Sequence, residues 1–362
     1  MGAAVAKFLA CVVVLLVPPR NARALCCRGG NAPRRARLRP ENGRKCYVVA
    51  LNVVITGGNR GLGYALADEM LRRGHRVVLG CRDVALGREA AATLARAHVV
   101  QKGRPSPVAV KLDVTDGVSV AGFFEEAILS QGGGRVDVLF NNAAVCFEGR
   151  DKGTFERTFA TNFFGALRMM NACVEATQWH SNDGEEAGRQ SIKGCHASIS
   201  NVSSGDGELC YLSSALRKRF EEAASLEDVT AAVNDLLTDF DERQEHAFGP
   251  TPAYSVSKAA LNAAVRLAGP ALLTRRGVAV TAVCPGDVNT RMCSAVAPEA
   301  SPAVPVSAAA AAVAAAAGEI GKAASAGVLS AAQAARFVAD VGLRPTVYPP
   351  GRFYRFGREI PW

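Results

Sequence analysis

The fold of this 362-residue chain is decided by VVALNVVITGGNRGLG, the stretch at residues 48–63. Its first nine residues, 48–56, form a near-continuous apolar run, which is typical of a strand buried on both faces of a parallel sheet. A glycine-rich turn follows, and a helix is predicted over about 61–73. A strand, a tight turn and a helix in this order predict the first β-α unit of a parallel sheet.

The same alternation continues along the chain. Further strands are predicted at 76–81, 108–114, 136–145, 196–204 and 278–286, with a last one near 352–357. Further helices are predicted over about 84–100, 117–130 and 154–178, and near 254–269. This repetition predicts an α/β fold, a Rossmann-type doubly wound parallel sheet with right-handed crossovers, in a single domain over 46–362.

Three stretches interrupt the alternation. Residues 181–194 are polar and predict a surface loop. Residues 205–250 form an insert, in which Ser225 and Asp228 resemble a capping box ahead of a helix with one apolar face. Residues 295–335 are alanine-rich and of low complexity.

The formal net charge of +9 belongs to the N-terminus. Residues 1–45 hold ten basic residues and one acid, whereas residues 46–362 carry 32 of each sign. The body of the chain therefore has no overall basic surplus, which argues against a nucleic-acid-binding domain. A hydrophobic content of 49% excludes a disordered chain.

The N-terminal segment 1–45 resembles a removable targeting sequence. Residues 8–17, FLACVVVLLV, are too short to span a bilayer comfortably and suit the apolar part of a signal peptide. Residues 20–39 are rich in arginine and contain no acid, as in a transit peptide. We expect delivery to an organelle such as a plastid, with an endomembrane or secretory route, a retained membrane anchor and a disordered tail as the alternatives.

The chain's eleven cysteines are scattered. They form no CxxC pair and have no histidine partners at ligand spacing, so no zinc or other metal site is predicted. Several lie in strand-like runs, where a free cysteine behaves as a small buried hydrophobe. A reducing compartment is the simplest interpretation.

The turn after the first predicted strand has the features of a dinucleotide site. Glycines at this place let the backbone approach a pyrophosphate, and the helix N-terminus meets its charge. Turns also need glycine, but the strand–turn–helix context favours the dinucleotide. The candidate residues are Gly57, Asn59, Arg60, Gly61, Leu62 and Gly63.

The residue after the second strand distinguishes the two nicotinamide dinucleotides. An acid there accepts from the ribose 2′-hydroxyl of NAD, whereas an arginine pairs with the 2′-phosphate of NADP. Arg82 occupies this place, and Arg60 adds a second cation. We therefore expect NADP(H), with Asp83 capping the next helix. The alternative is that Arg82 is only a solvated residue at the start of that helix.

Tyr254 and Lys258 form a Y-x-x-x-K pair in AYSVSK. On a helix, residues four apart lie on one face, so the ammonium can sit near the phenol and lower its pKa from about 10. A phenol tuned in this way can protonate a carbonyl oxygen. The pair also occurs by chance in many helices, and the dinucleotide turn in the same domain strengthens it.

Together these motifs resemble the short-chain dehydrogenase/reductase family. The matching stretches are TGGNRGLG (56–63), LDV (112–114), NNAA (141–144), TNFFG (161–165), NVSS (201–204), YSVSK (254–258) and CPGDVNT (284–290). The resemblance implies that Tyr254 is the general acid and that Lys258 binds the nicotinamide ribose and tunes Tyr254. It implies that Ser204 binds the substrate carbonyl and that Asn162 holds a water in a proton relay.

The resemblance also implies a larger set of cofactor contacts. Asp113 would contact the adenine, Asn142 and Ala143 would line the cleft, and Pro285, Gly286 and Thr290 would border the nicotinamide. Val114 and Val288 belong to the same set.

Several of these residues have simpler interpretations. Asn162 could merely kink a helix, Ser203 could replace Ser204, and Asp113 could only cap a helix. Cys284 suits core packing, and Cys146 with Phe147 suits a pocket wall.

Two departures narrow the resemblance. Ala144 stands where the family commonly has glycine, which would slightly crowd the cofactor cleft. The spacing of 50 residues from Ser204 to Tyr254 is far longer than usual. Such a helical insert before the tyrosine is similar to that of the monomeric carbonyl reductase subgroup, which includes salutaridine-reductase-like plant enzymes, and it implies a monomer.

The sequence thus predicts NADPH-dependent reduction of a ketone, aldehyde or quinone. Its partner is a small carbonyl substrate, and a membrane is involved only if the N-terminal segment is retained. One alternative is a plastid reductase like protochlorophyllide reductase, suggested by CRD (81–83) and NNAAV (141–145). The other is a non-catalytic NADPH-binding sensor or scaffold, which the complete Ser/Tyr/Lys/Asn set argues against.

Overall fold

The structure is a computed structural model. It describes residues 50–98, 106–130, 135–178, 195–247, 249–289 and 328–361, together with a short antiparallel pair formed by Ala36–Arg37 and Tyr47–Val48. Most of the predicted targeting segment, the predicted loop 181–194 and most of the alanine-rich stretch lie outside the described residues, as does Thr290.

The core of the fold is an eight-stranded sheet. Its strands are β1 Asn52–Thr56, β2 Arg76–Cys81, β3 Val108–Lys111, β4 Val138–Asn141, β5 Ala197–Val202, β6 Val278–Cys284, β7 Phe353–Arg355 and β8 Arg358–Glu359. Their order is β3-β2-β1-β4-β5-β6-β7-β8, and all neighbours are parallel except the final β7–β8 hairpin. The predicted Rossmann-type sheet is confirmed, and the order reverses between β1 and β4, where such sheets bind ligands.

Helices cover both faces of this sheet. They are α1 Gly61–Arg72, α2 Val84–His98, α3 Gly117–Ser130, α4 Lys152–Phe159, α5 Ala166–Gln178, α6 Ser214–Glu222, α7 Leu226–Thr238, α8 Pro252–Arg276 and α9 Ala331–Leu343. Alternate strand residues point to opposite faces. Accordingly Val54 packs in the cluster formed with α3, α5 and α8. Val53 and Ile55 pack with α1, α2 and α9.

Two predicted helices differ from those observed. The single helix expected over about 154–178 is divided into α4, a π-helical segment Ala160–Gly165 and α5. The helix expected near 254–269 extends over Pro252–Arg276. Proline suits its first turn, and Gly277, with a φ of 62°, ends it in the left-handed conformation that glycine adopts without strain.

The insert packs onto α8, the longest helix among the described residues. The predicted capping box is confirmed, since Asp228 N donates to Ser225 Oγ at 3.1 Å and Ser225 N donates to Asp228 Oδ2 at 2.9 Å. Val229 is fully buried on the inner face of α7. From α8, Arg266 donates to the carbonyls of Phe220 and Ala223. The insert therefore supports the helix that carries Tyr254 and Lys258.

The described residues show neither a membrane span nor a metal cluster. No helix among them is both long and apolar enough to cross a bilayer. Within the same residues, His, Cys, Asp and Glu side chains nowhere gather in threes in a way that could hold a metal ion. The described cysteines are free, and burial raises the pKa of the Cys81 thiol to about 11, which keeps it protonated.

Candidate active site

The turn between β1 and α1 is tight because of its glycines. Gly57 has a φ of 66°, a conformation that side chains disfavour. A Cβ at Gly63 would overlap the carbonyl oxygen of Gly57, so only glycine lets the helix start this close to the strand. Arg60 makes no side-chain cap, and the first turn of α1 contains no acid. The N–H groups of the first turn of α1 are therefore available to an anion.

The end of β4 is fastened to the end of β1. The main-chain N–H groups of Asn142 and Ala143 both donate to Thr56 Oγ1 at 2.9 Å. Asn142 Nδ2 also donates to the Thr56 carbonyl oxygen at 2.9 Å. These bonds place Asn142 and Ala143 beside the glycine turn, in the crevice where the strand order reverses. Nearby, Leu62 is buried and Asn59 is half-buried.

Arg82 lies exposed directly after β2, next to Asp113. Asp83 caps α2 as predicted, because its Oδ1 accepts from Ala85 N at 2.9 Å. Asp113 does not cap α3, since its carboxylate instead accepts from the N–H and hydroxyl of Thr115. Burial opposes the charge of Asp113, but these bonds and nearby Arg82 hold its pKa below the ordinary value.

Ser204 and Tyr254 meet at the carboxyl end of β5. Ser204 follows that strand, Tyr254 lies in the first turn of α8, and the Ser204 hydroxyl is near enough to the Tyr254 phenol to lower its pKa. The neighbouring Ser203 hydroxyl is buried and has no hydrogen-bond partner among the described residues. The geometry thus favours Ser204 over Ser203 as the serine that faces Tyr254.

Lys258 lies one turn along α8 from Tyr254. Its Nζ donates to the carbonyl oxygen of Val202 at 2.7 Å, and the residue is 2% exposed. The same Nζ lies 5.5 Å from the centroid of the Tyr254 ring. The four-residue spacing therefore places both groups on one face, and the hydrogen bond ties α8 to the end of β5.

Burial dominates the electrostatics of this pair. It raises the pKa of Tyr254 above its ordinary value, the charge of Asp206 adds to this effect, and the Ser204 hydroxyl opposes it. Burial also lowers the pKa of Lys258 to about 8. The expectation that the tyrosine pKa is lowered is therefore wrong for the protein alone, because desolvation is the largest influence on the phenol and disfavours its charged form. The phenol is held neutral, which is the form that can donate a proton.

Asn162 is held firmly within the π-helical segment. Its Oδ1 accepts from Val145 N at 2.9 Å, and its Nδ2 donates to the Val145 carbonyl at 2.8 Å and to Ser257 Oγ at 3.1 Å. A π-helical segment inside a helix is frequent at functional sites. Asn162 therefore joins the end of β4 to α8, while its predicted role in a proton relay stays a prediction.

The cleft is bordered on its far side by the segment after β6. Gly286 has a φ of 75°, and Val288 is buried and pairs with Leu329. Cys284 is buried, as core packing requires, but its Sγ also accepts from Gly286 N at 3.4 Å. Pro285 is half-buried at the start of this segment.

Asp206 is a site residue that the motifs did not reveal. It lies two residues after Ser204, and its N–H donates to Ser204 Oγ at 3.2 Å. Although the residue is accessible to solvent, the surrounding atoms desolvate its carboxyl enough to raise the pKa, despite the nearby Ser204 hydroxyl. The sequence offered one indication of this role, since Asp206 lies just beyond NVSS. The matching motifs include no acid at that position, so they did not identify it.

Cys146 and Phe147, which follow β4, have no evident chemical role. Cys146 is half-buried near Tyr254 and Lys258. Phe147 is partly exposed, and the guanidinium of Arg157 lies 5.4 Å from its ring centroid. Their part in a pocket wall stays a prediction.

Comparison with known proteins gives a consistent set of relatives. A family model described as short chain dehydrogenase matches residues 51–209. Carbonyl reductase [NADPH] 3 from Homo sapiens is 32% identical over 257 residues, which are 68% of this chain and 84% of that protein. Retinol dehydrogenase 14 from Mus musculus is 40% identical over 128 residues, but the match spans only 37% of its length.

The fold has the same relatives. The structure of salutaridine reductase from Papaver somniferum superposes with a TM-score of 0.61 and 25% identity, covering 83% of this chain and 98% of the other. The match to human carbonyl reductase covers a larger share of this chain than the family model does. The chain is an oxidoreductase that belongs to the short-chain dehydrogenase/reductase family.

Proposed function

We propose that this protein reduces a ketone or aldehyde to the alcohol, or a quinone to the hydroquinone, with NADPH as the hydride donor. The observation that carries the proposal is the meeting of Ser204, Tyr254 and Lys258 at the carboxyl end of β5, the same edge of the parallel sheet as the glycine turn after β1. A relative whose name specifies carbonyl reduction with NADPH supports the same reaction.

The crevice fits a dinucleotide. A Cβ at Gly63 would fill the space between Gly57 and Asn142, and the α1 N-terminus next to it lacks any acid. An anion can therefore approach the backbone there. The exposed guanidinium of Arg82, directly after β2, suits a 2′-phosphate and supports NADPH over NADH, and Arg60 adds a second exposed cation.

The chain's own residues provide the polar half of the reaction. When bound, NADPH supplies the hydride that reaches the carbonyl carbon. The Ser204 hydroxyl donates a hydrogen bond to the substrate oxygen and holds it beside Tyr254. The Tyr254 phenol, kept neutral by burial, transfers its proton to that oxygen as negative charge develops there. The ammonium of Lys258 then favours the phenolate that remains.

The proposal extends to the state of the protein in the cell. We infer a monomer, because the insert packs along α8 and covers apolar surface of that helix. We also infer that the arginine-rich segment 1–45 directs the protein to an organelle, such as a plastid, and is removed there.

Tyr254→Phe tests the proposed reaction. A protein comprising residues 46–362 is mixed with NADPH and a panel of quinones, aldehydes and cyclic ketones, and NADPH oxidation is followed. We expect turnover of at least one class by the wild type. The variant should lose about a hundredfold or more in kcat, because only the proton donor is removed. NADPH binding, measured by its fluorescence, should be unchanged.

Two outcomes would contradict this account of Tyr254. A variant with wild-type kcat would show that another group supplies the proton. Absence of turnover across the panel, with intact NADPH binding, would favour a sensor or scaffold.

Arg82→Asp tests the choice of cofactor. Replacing the guanidinium with a carboxylate should repel the 2′-phosphate and lower the ratio of kcat/KM for NADPH over NADH about tenfold or more. Arg88→Asp, at an exposed position one turn along α2, is the matched control. If both variants keep the wild-type ratio, Arg82 does not bind the phosphate.

Asp206→Asn tests the electrostatic link to Tyr254. Reduction needs the protonated phenol, so the rate falls as pH rises through the tyrosine pKa, which lies above the Lys258 pKa of about 8. The Asp206 charge raises the tyrosine pKa, and its removal should therefore move this upper alkaline fall of kcat/KM to lower pH, while the fall due to Lys258 stays in place. Glu227→Gln, exposed on α7, should leave the profile in place. An unmoved alkaline limb in Asp206→Asn would contradict the link.

A further inference from the structure

Arg355 reaches across the sheet to the segment that carries Ser204. It is the last residue of β7 and pairs in register with Cys284 at the end of β6. Its Nε donates to Cys284 Sγ at 3.4 Å, and its guanidinium continues past β6 to Glu208 Oε1 at 2.5 Å. Glu208 follows the short 3₁₀ turn Gly205–Gly207, which begins directly after Ser204. A residue near the C-terminus is therefore connected to the catalytic segment.

The guanidinium also limits where the turn can lie. A Cβ at Gly205 would overlap the terminal nitrogen of Arg355, so the backbone of the turn rests directly on the arginine. The Arg355 and Glu208 side chains are both largely shielded, at 31% and 27% exposed. A charge-assisted bond with this shielding is stronger than one in open solvent.

The opposite side of the turn rests on the catalytic helix α8. A Cβ at Gly207 would approach the backbone of Lys258 to 2.8 Å, and Asn262 Nδ2 donates to the Gly207 carbonyl at 3.2 Å. The turn is thus enclosed between α8 on one side and Arg355 on the other. Inside it, the Asp206 N–H holds Ser204 Oγ at 3.2 Å.

We propose that Arg355, through Glu208 and Cys284, is a positioning residue that presses the turn 204–208 against α8 and so holds the Ser204 hydroxyl in reach of the substrate carbonyl. This inference rests on the proposed function for its catalytic consequence. The contact itself concerns only this chain. The proposal gives β7, the first strand of the last hairpin, a part in the active site, although none of its residues touches the reacting atoms.

The same terminal hairpin contains a matched control. Arg352 and Glu359 form an ion pair of 2.6 Å, with side chains 56% and 49% exposed. That pair has the same chemistry and nearly the same position in the chain, but it contacts neither Cys284 nor the turn. Loss of an exposed pair changes stability little. A difference between the two pairs therefore separates positioning from a general effect of lost charge.

The test compares Arg355→Gln, Glu208→Gln and Arg355→Lys with Arg352→Gln and Glu359→Gln. In the first two variants we expect kcat to fall about 10- to 100-fold, because small misplacements of a reacting group are costly. KM should change less, and NADPH binding should be unchanged. Arg355→Lys should recover part of kcat, since a lysine keeps the charge but lacks the guanidinium's fork of donors. The two control variants should stay within about twofold of the wild type.

Hydrogen exchange provides a readout that does not need turnover. The amides of Asp206, Gly207 and Glu208 all donate within the turn, so a peptide covering 203–210 should exchange faster in Arg355→Gln and Glu208→Gln and not in the controls. If Glu208→Gln folds and shows wild-type exchange and wild-type kcat, the proposal is overturned. This variant tests the positioning role even if Arg355→Gln fails to fold. If the wild type is inactive, the proposed function fails, and the exchange result alone decides the positioning role.

Discussion

The active site depends on one buried hydrogen bond, from Lys258 Nζ to the carbonyl oxygen of Val202. It joins the start of α8 to the end of β5, which are far apart in the chain and separated by the insert. Without it, the ammonium would be buried with no acceptor. Leaving a buried charge without its hydrogen bond costs on the order of several kcal/mol. The bond therefore fixes the start of α8, whose length is held by core packing and by the insert, against the end of β5, and so brings Tyr254 to Ser204.

Burial has a chemical consequence beyond packing. It disfavours charge on both members of the pair, so the phenol stays neutral and the lysine becomes easier to deprotonate. A neutral phenol suits proton donation, and the adjacent Ser204 supplies an oriented hydroxyl. The surrounding structure serves to keep these groups aligned: Asn162 ties α8 to the end of β4, and Arg355 holds the turn after Ser204 from the other side.

The sheet and the central motif residues were predictable because their signals are local. Apolar runs mark the strands, glycines mark the tight turn, and the four-residue spacing places Tyr254 and Lys258 on one helical face. Asp206, Glu208 and Arg355 were not predictable, since nothing in the sequence tells that residue 355 reaches residue 208. The sign of the Tyr254 shift was also missed, because the competition between desolvation and attraction depends on burial, which spacing does not reveal. The π-helical break at Ala160–Gly165 was not predicted either; its Asn162 bonds to residues distant in the chain.

The most direct test of carbonyl reduction follows the hydrogen itself. A protein comprising residues 46–362 is incubated with a ketone or aldehyde that it reduces and with NADPH deuterated at the transferable position of C4, and the alcohol is examined by mass spectrometry. The account predicts one deuterium on the former carbonyl carbon for each NADPH oxidised, with the hydroxyl proton coming from solvent-exchangeable groups. NADPH oxidation without deuterium in the alcohol would contradict it.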